Sequence, residues 1–181
     1  MRRTALVLLL LTSMVSSAAG FATPQAARGG RGTPATPVAP AKFVALLPTI
    51  PGWTKGQPDS EVINIGMVMS TARVSYEQGD LSLSMEIIDT LANPMLMGSF
   101  MSMMMGAGQT QVKTETGWAR GITIAGFPGA EVWDNETKTA DVLVVLNGRF
   151  VVKAGVSGMK DTTVARQAVE AVDLKALAAL K

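Results

Sequence analysis

Alternation of apolar and polar residues constrains the fold of this chain more than any other feature. Across residues 81–89, apolar side chains at 81, 83, 85 and 87 alternate with serine or glutamate, which predicts a strand with one buried face. The pair Asn147-Gly148 separates two apolar runs, and both residue types tolerate the positive φ angles of a two-residue hairpin turn. These patterns predict an antiparallel sheet assembled from hairpins.

Other segments also have strand patterns. Residues 62–76 alternate with one change of parity, which predicts a single strand with a bulge near Ser70. Residues 141–146 are apolar without alternation, as expected of a strand covered on both faces at the centre of a sheet. Glycine and proline at 126–129 predict a turn. The remaining predicted strands cover residues 109–116, 120–125, 130–133 and 149–156.

Helix signals are fewer than strand signals. Asn93 followed by Pro94 predicts the start of a helix that runs to about Met105 and ends at Gly106. Three further helices are predicted, one over residues 42–47 and two that begin after Asp161 and Asp173. The chain is therefore predicted to be an α+β protein. Its antiparallel sheet has about six or seven strands, with a methionine-rich crossover helix and C-terminal helices packed on it.

The first 22 residues have the order typical of a secretory signal peptide. Arg2 and Arg3 precede an apolar run over residues 5–15, and small residues follow. The run is shorter than the roughly 20 apolar residues that span a bilayer, so no transmembrane segment is expected after cleavage. Residues 23–41, rich in proline, alanine and glycine, predict a disordered linker, and 42–181 predict one domain. The protein is expected to be exported, to a periplasmic or extracellular location.

Composition excludes several classes of function. The chain has no histidine and no cysteine, which excludes a Ser-His-Asp triad and a Cys/His zinc site. It has 16 basic and 14 acidic residues, and losing Arg2 and Arg3 leaves 14 of each, so no basic face for nucleic acid is expected. Carboxylates near strand ends could form a catalytic pair, but the pattern favours solvated surface positions, and a non-enzyme is predicted. These carboxylates are Glu86, Asp89, Glu131 and Asp134.

Methionines are concentrated in the predicted crossover helix, with six between residues 95 and 105. Helical spacing predicts that Met97, Phe100, Met101 and Met104 share one face and that Met105 flanks it. Three interpretations remain open. The face is core, because methionine fills irregular gaps; or it is an adaptable apolar groove for a peptide or lipid; or its sulfurs bind Cu(I). The copper interpretation uses Met97, Met101 and Met105, which are spaced at i, i+4.

Several short motifs accompany this layout. They are Pro-Gly-Trp at 51–53, Ile-Ile-Asp at 87–89, the methionine-rich helix, and Val-Leu-Asn-Gly-Arg-Phe-Val-Val at 145–152. With them the chain resembles small, uncharacterised exported bacterial proteins. Over residues 42–181 the order of elements is also remotely similar to the Mog1/PsbP-like α/β/α sandwich. That resemblance implies a binding or assembly module, and it assigns no functional residue.

Together these patterns predict an exported, non-enzymatic binding or accessory module of the cell envelope. Its expected partner is an envelope protein, peptide or lipid, held by Met97, Phe100, Met101, Met104 and Met105. No cofactor is expected under this prediction. The alternative prediction is a periplasmic Cu(I)-binding protein that uses the methionine cluster.

Overall fold

A computed structural model describes residues 36–107 and 112–181 of the chain. Within these ranges nine antiparallel strands form one sheet in the order β1-β3-β4-β9-β8-β7-β6-β5, and β2 pairs with β3 on the same edge as β1. The strands are β1 (Thr54–Lys55), β2 (Asp59–Asn64), β3 (Val68–Gln78), β4 (Leu81–Asp89), β5 (Val112–Lys113), β6 (Gly117–Ile124), β7 (Phe127–Asp134), β8 (Thr139–Leu146) and β9 (Phe150–Ser157). The helices are α1 (Pro40–Val44), α2 (Pro94–Ala107), α3 (Thr163–Glu170) and α4 (Leu174–Ala178).

The α+β class is confirmed, but the strand count of six or seven is too low. The main reason is the segment 62–76, which is not one bulged strand. It contains the end of β2 and most of β3, joined at Gly66, whose φ is +85°. Ile63 pairs with Met69 across this hairpin. The change of parity therefore marks a chain reversal, since two alternating strands separated by a turn need not keep the same phase.

Two of the hairpin turns contain residues with positive φ angles, and one of these turns lies at a different position from the one predicted. Asn147 and Gly148 have φ angles of +51° and +63°, which confirms the predicted turn between β8 and β9. The predicted turn at 126–129 is wrong, because Ala125 (φ +51°) and Gly126 (φ +89°) already reverse the chain. Residues 127–129 are the first residues of β7.

The two faces of the sheet are covered differently. The front face, defined as the one that carries Val144, packs against α1, α3 and α4 and forms the larger core. The back face, which carries Leu143, has a smaller cluster beneath α2. Because β8 contributes buried residues to both clusters, its predicted position as a doubly covered central strand is confirmed.

The folded unit begins earlier than residue 42. Val38 is only 3% exposed and belongs to the front-face core, and α1 begins at Pro40. The prediction of a disordered linker over residues 23–41 is therefore wrong for 36–41, because proline and alanine there flank a buried valine. Residues 23–35 and the predicted signal peptide, residues 1–22, lie outside the described residues. None of the helices within the described ranges is long and apolar enough to cross a membrane.

Candidate functional site

The helix α2 is held on the back face by a narrow stripe of side chains. Met97 is buried, and Phe100 and Met104 are half-buried, against Leu143 and Val145 of β8 and their neighbours. The helix begins where the sequence predicts, because the Asn93 side-chain oxygen accepts a hydrogen bond of 2.9 Å from the Met95 backbone N–H. This capping interaction and the apolar stripe fix α2 on the sheet.

The opposite side of α2 is open to solvent. Met95 is 71% exposed, and the small residues Gly98, Ser99 and Ser102 around it are also exposed. Met101, at the margin of this side, is 43% exposed. We call these five residues the outer face of α2. The fourteen residues of the helix include no charged side chain. A helix that is apolar on all sides is ordinarily buried, so an uncharged helix with one exposed side is a candidate binding surface.

The structure separates the predicted site residues. Met97, Phe100 and Met104 contact the sheet, as the core interpretation expects, whereas Met101, one turn along the helix from Met97, lies at the margin of this stripe and is largely exposed. The side chain of Met105 lies outside the described part of the molecule. Of the three methionines in the copper interpretation, Met97 is thus buried and Met101 is exposed. Within the described ranges, no group of three or more Asp or Glu side chains is placed to hold a metal ion.

A small cavity opens beside α2 on the back face. Its volume is about 160 Å³, and its wall is mainly apolar, with the Asp141–Lys153 ion pair (Oδ1–Nζ 3.5 Å) at its edge. An apolar cavity of about this size holds a benzene-sized group. The cavity could therefore take one ring or one branched side chain from a molecule lying along α2. It is lined by Phe100, Ala130, Val132, Asp141, Leu143 and Lys153.

Two of the candidate carboxylates are fully buried, which corrects the prediction of solvated positions. The carboxylate of Asp89 accepts two hydrogen bonds from Arg149 (2.7 and 2.8 Å) and one each from the backbone N–H groups of Val38 and Leu91 (both 2.9 Å). Burial alone would raise the pKa of Asp89. The hydrogen bonds from Arg149 and the two N–H groups outweigh burial, so this pKa lies below its ordinary value.

Glu131 is the second buried carboxylate. Arg120 of β6 donates to its Oε2 (2.7 and 2.9 Å), as does the Thr162 hydroxyl (3.1 Å), and Arg166 of α3 donates to its Oε1 (3.1 Å). Asp89 and Glu131 each accept four hydrogen bonds, so the arrangement supports a structural role rather than proton transfer. One signal in the sequence could have found them, because each continues the parity of the buried residues on its strand.

These features define an α+β domain whose distinguishing surface is one uncharged helix on an otherwise polar sheet face. Comparison with known proteins adds no relative, since no protein-family profile, no curated protein and no solved structure matches the chain significantly. The resemblance to the Mog1/PsbP-like sandwich accordingly stays a prediction.

Gly98, at the centre of the outer face, offers a direct test of how firmly α2 is formed. A Cβ added to Gly98 would meet no atom within 4 Å, so we expect Gly98→Ala to stabilise α2 by about 0.5–1 kcal/mol through backbone entropy alone. Slower hydrogen exchange of the α2 amides would show this effect. Gly148→Ala is the matched control, because it also has open space but a φ of +63°, and it should destabilise the protein.

Proposed function

We propose that this protein is a non-catalytic binding module of the cell envelope and that the outer face of α2 receives an apolar segment of a partner protein. The observation that carries the proposal is the uncharged helix with an exposed side, bounded by Met95 and Met101. Methionine side chains adapt to differently shaped apolar partners, which suits such a surface.

The composition of α2 favours a protein segment over a lipid surface. Helices that lie in a membrane interface usually carry lysine or arginine beside their apolar side, because these residues contact anionic headgroups. The helix α2 has neither residue over its full length, Pro94–Ala107. Export, which places the proposed partner in the envelope, rests on the signal peptide predicted over residues 1–22.

Site-specific photocrosslinking in the protein's own host tests the proposal. A crosslinking residue placed at Met95 should give discrete adducts whose mapped peptides are apolar. Ile65 is the matched control position, because it is also 71% exposed and apolar but lies in the β2–β3 turn. Lipid adducts, copper retained in native mass spectrometry, or the same adducts at both positions would each contradict the proposal.

Polar substitutions on the outer face should weaken binding without unfolding the domain. Each buried methionine side chain contributes roughly 1.5 kcal/mol or more to an apolar contact, so Met95→Gln with Met101→Gln should weaken binding of the mapped segment at least ~10-fold. Titration of a synthetic peptide with that segment's sequence measures the change. Ile65→Gln should leave the affinity unchanged, and an equal loss in that control would contradict the assignment of α2.

A further inference from the structure

The strand β2 leaves one edge of the sheet open. All six of its residues pair with β3, from Asp59 opposite Arg73 to Asn64 opposite Val68. Among the described residues no strand pairs with its other side. That side presents unpaired backbone N–H and C=O groups, to which an extended chain can add by β-strand pairing. Lysine and proline, which commonly protect such edges, are absent from β2.

A row of alternating charge crosses the back face and ends at this edge. In register across four strands lie Asp59 of β2, Arg73 of β3, Glu86 of β4 and Lys153 of β9. The central pair is in contact, with Arg73 Nη2 and Glu86 Oε1 3.6 Å apart. Neighbours directly opposite in an antiparallel pair interact favourably when their charges differ. The next residue in the row, on a strand added to β2, would therefore be a cation.

Glu61 adds a second carboxylate two residues further along β2. It is exposed on the same face as Asp59, and its partner on β3 is the neutral Thr71. Within residues 36–107 and 112–181, neither Asp59 nor Glu61 forms an ion pair within 4.0 Å. The open edge thus presents two carboxylates at strand spacing that can meet cations on an added strand.

We propose that β2 accepts an extended segment of another protein as an additional strand, and that this segment carries lysine or arginine at two positions two residues apart. One basic side chain lies opposite Asp59 and the other opposite Glu61. This site is separate from the outer face of α2, because β2 lies at the β1 end of the sheet whereas α2 covers β6 and β7 at the other end.

Charge disfavours a second copy of the same strand as the occupant. Antiparallel pairing of two β2 strands would bring two copies of Asp59 and two of Glu61 to one junction, and like charges across strands are destabilising. The acidic residues therefore select against self-pairing while they favour a basic segment.

Binding of short labelled peptides to the full chain tests the proposal by fluorescence anisotropy. The probe is the acetylated and amidated peptide Thr-Lys-Val-Arg-Val-Thr. Three comparison peptides are used. The first has glutamate in place of both basic residues, and the second has the two basic residues next to each other. The third keeps the sequence of the probe but carries N-methyl groups on alternate backbone amides. We expect the probe to bind at least ~10-fold more tightly than each of them, because only the probe satisfies both spacing and backbone pairing.

Substitutions at the edge locate the site. Asp59→Asn with Glu61→Gln should abolish the preference for the basic peptide, whereas Glu77→Gln, an exposed carboxylate on β3 outside the β2 pairing, should leave it intact. Met95→Gln should also leave it intact, because α2 does not take part. The proposal is overturned if the N-methylated peptide binds as well as the probe, if the double variant keeps its preference, or if the chain dimerises through β2 instead.

Discussion

Asp89→Asn is expected to lower the free energy of unfolding by about 3 kcal/mol, because it removes the charge from a fully buried carboxylate that arginine and two backbone N–H groups surround. Arg149, itself mostly buried, is left without its counter-charge. The lost contacts join the start of the folded unit, β4 and the turn between β8 and β9. Urea titration followed by tryptophan fluorescence measures the change, since the chain has three tryptophans.

The control for Asp89 is Asp80→Asn, in the exposed turn between β3 and β4, which should change stability by no more than about 0.5 kcal/mol. A loss below about 1 kcal/mol for Asp89→Asn would show that the ion pair is not a principal contact of the fold.

Low pH should remove the difference in free energy of unfolding between the wild-type protein and Asp89→Asn. The pKa of Asp89 is lower in the folded protein than its ordinary value of about 3.9, so the ionised group stabilises the fold above that pH. The stabilisation is lost as the pH falls through the lower, folded pKa. The gap in free energy of unfolding between the two proteins should therefore be constant above about pH 5 and shrink below about pH 4. A gap that widens on acidification would contradict this assignment.

Glu131→Gln is expected to cost about 2–3 kcal/mol. The substitution leaves Arg120 and Arg166 without the carboxylate that joins β6, β7 and α3 on the front face. Loss of one partner from a buried ion pair ordinarily costs about 3–5 kcal/mol, but the arginine side chains are 44% and 38% exposed and can turn toward water, which reduces the effect.

A triple variant distinguishes the destabilisation caused by leaving two arginines without a counter-charge from the net contribution of the ion-pair network to stability. Replacing Glu131, Arg120 and Arg166 together by methionine removes all three charges and keeps apolar volume, so much of the stability lost in Glu131→Gln should return. Urea titrations of the single and triple variants make the comparison. If the triple variant is less stable than Glu131→Gln, the network contributes net stability beyond the pairing of its own charges.

Local periodicity made much of this fold predictable. The strand over Leu81–Asp89, the Asn147-Gly148 turn and the Asn93 cap agree with the structure, because each depends on residues close together in sequence. The β2–β3 hairpin was missed because neither Asn-Gly nor Asp-Gly marks its turn. Periodicity also cannot distinguish a bulge from a reversal when both change the parity.

The buried carboxylates were missed for a different reason. Asp89 and Glu131 continue the buried parity of their strands, but the arginines that pair with them lie 60 and 11 residues away, and a single sequence does not reveal which distant cation meets which carboxylate. The contacts of α2 likewise depend on residues that are distant in sequence. Helical spacing placed Met97 and Met101 on one face, but the sheet contacts only the stripe of Met97, Phe100 and Met104 and leaves Met101 outside.

Asp89 also has a mechanical consequence. Its carboxylate binds Val38, near the start of the folded unit, and Leu91, on the way into α2, while Arg149 connects it to the neighbouring hairpin. Tension applied through the N-terminal end would reach this junction at Val38, before it reached most of the sheet. A module pulled from that end would hold or release its load at one carboxylate, four residues before Asn93, the N-cap of α2.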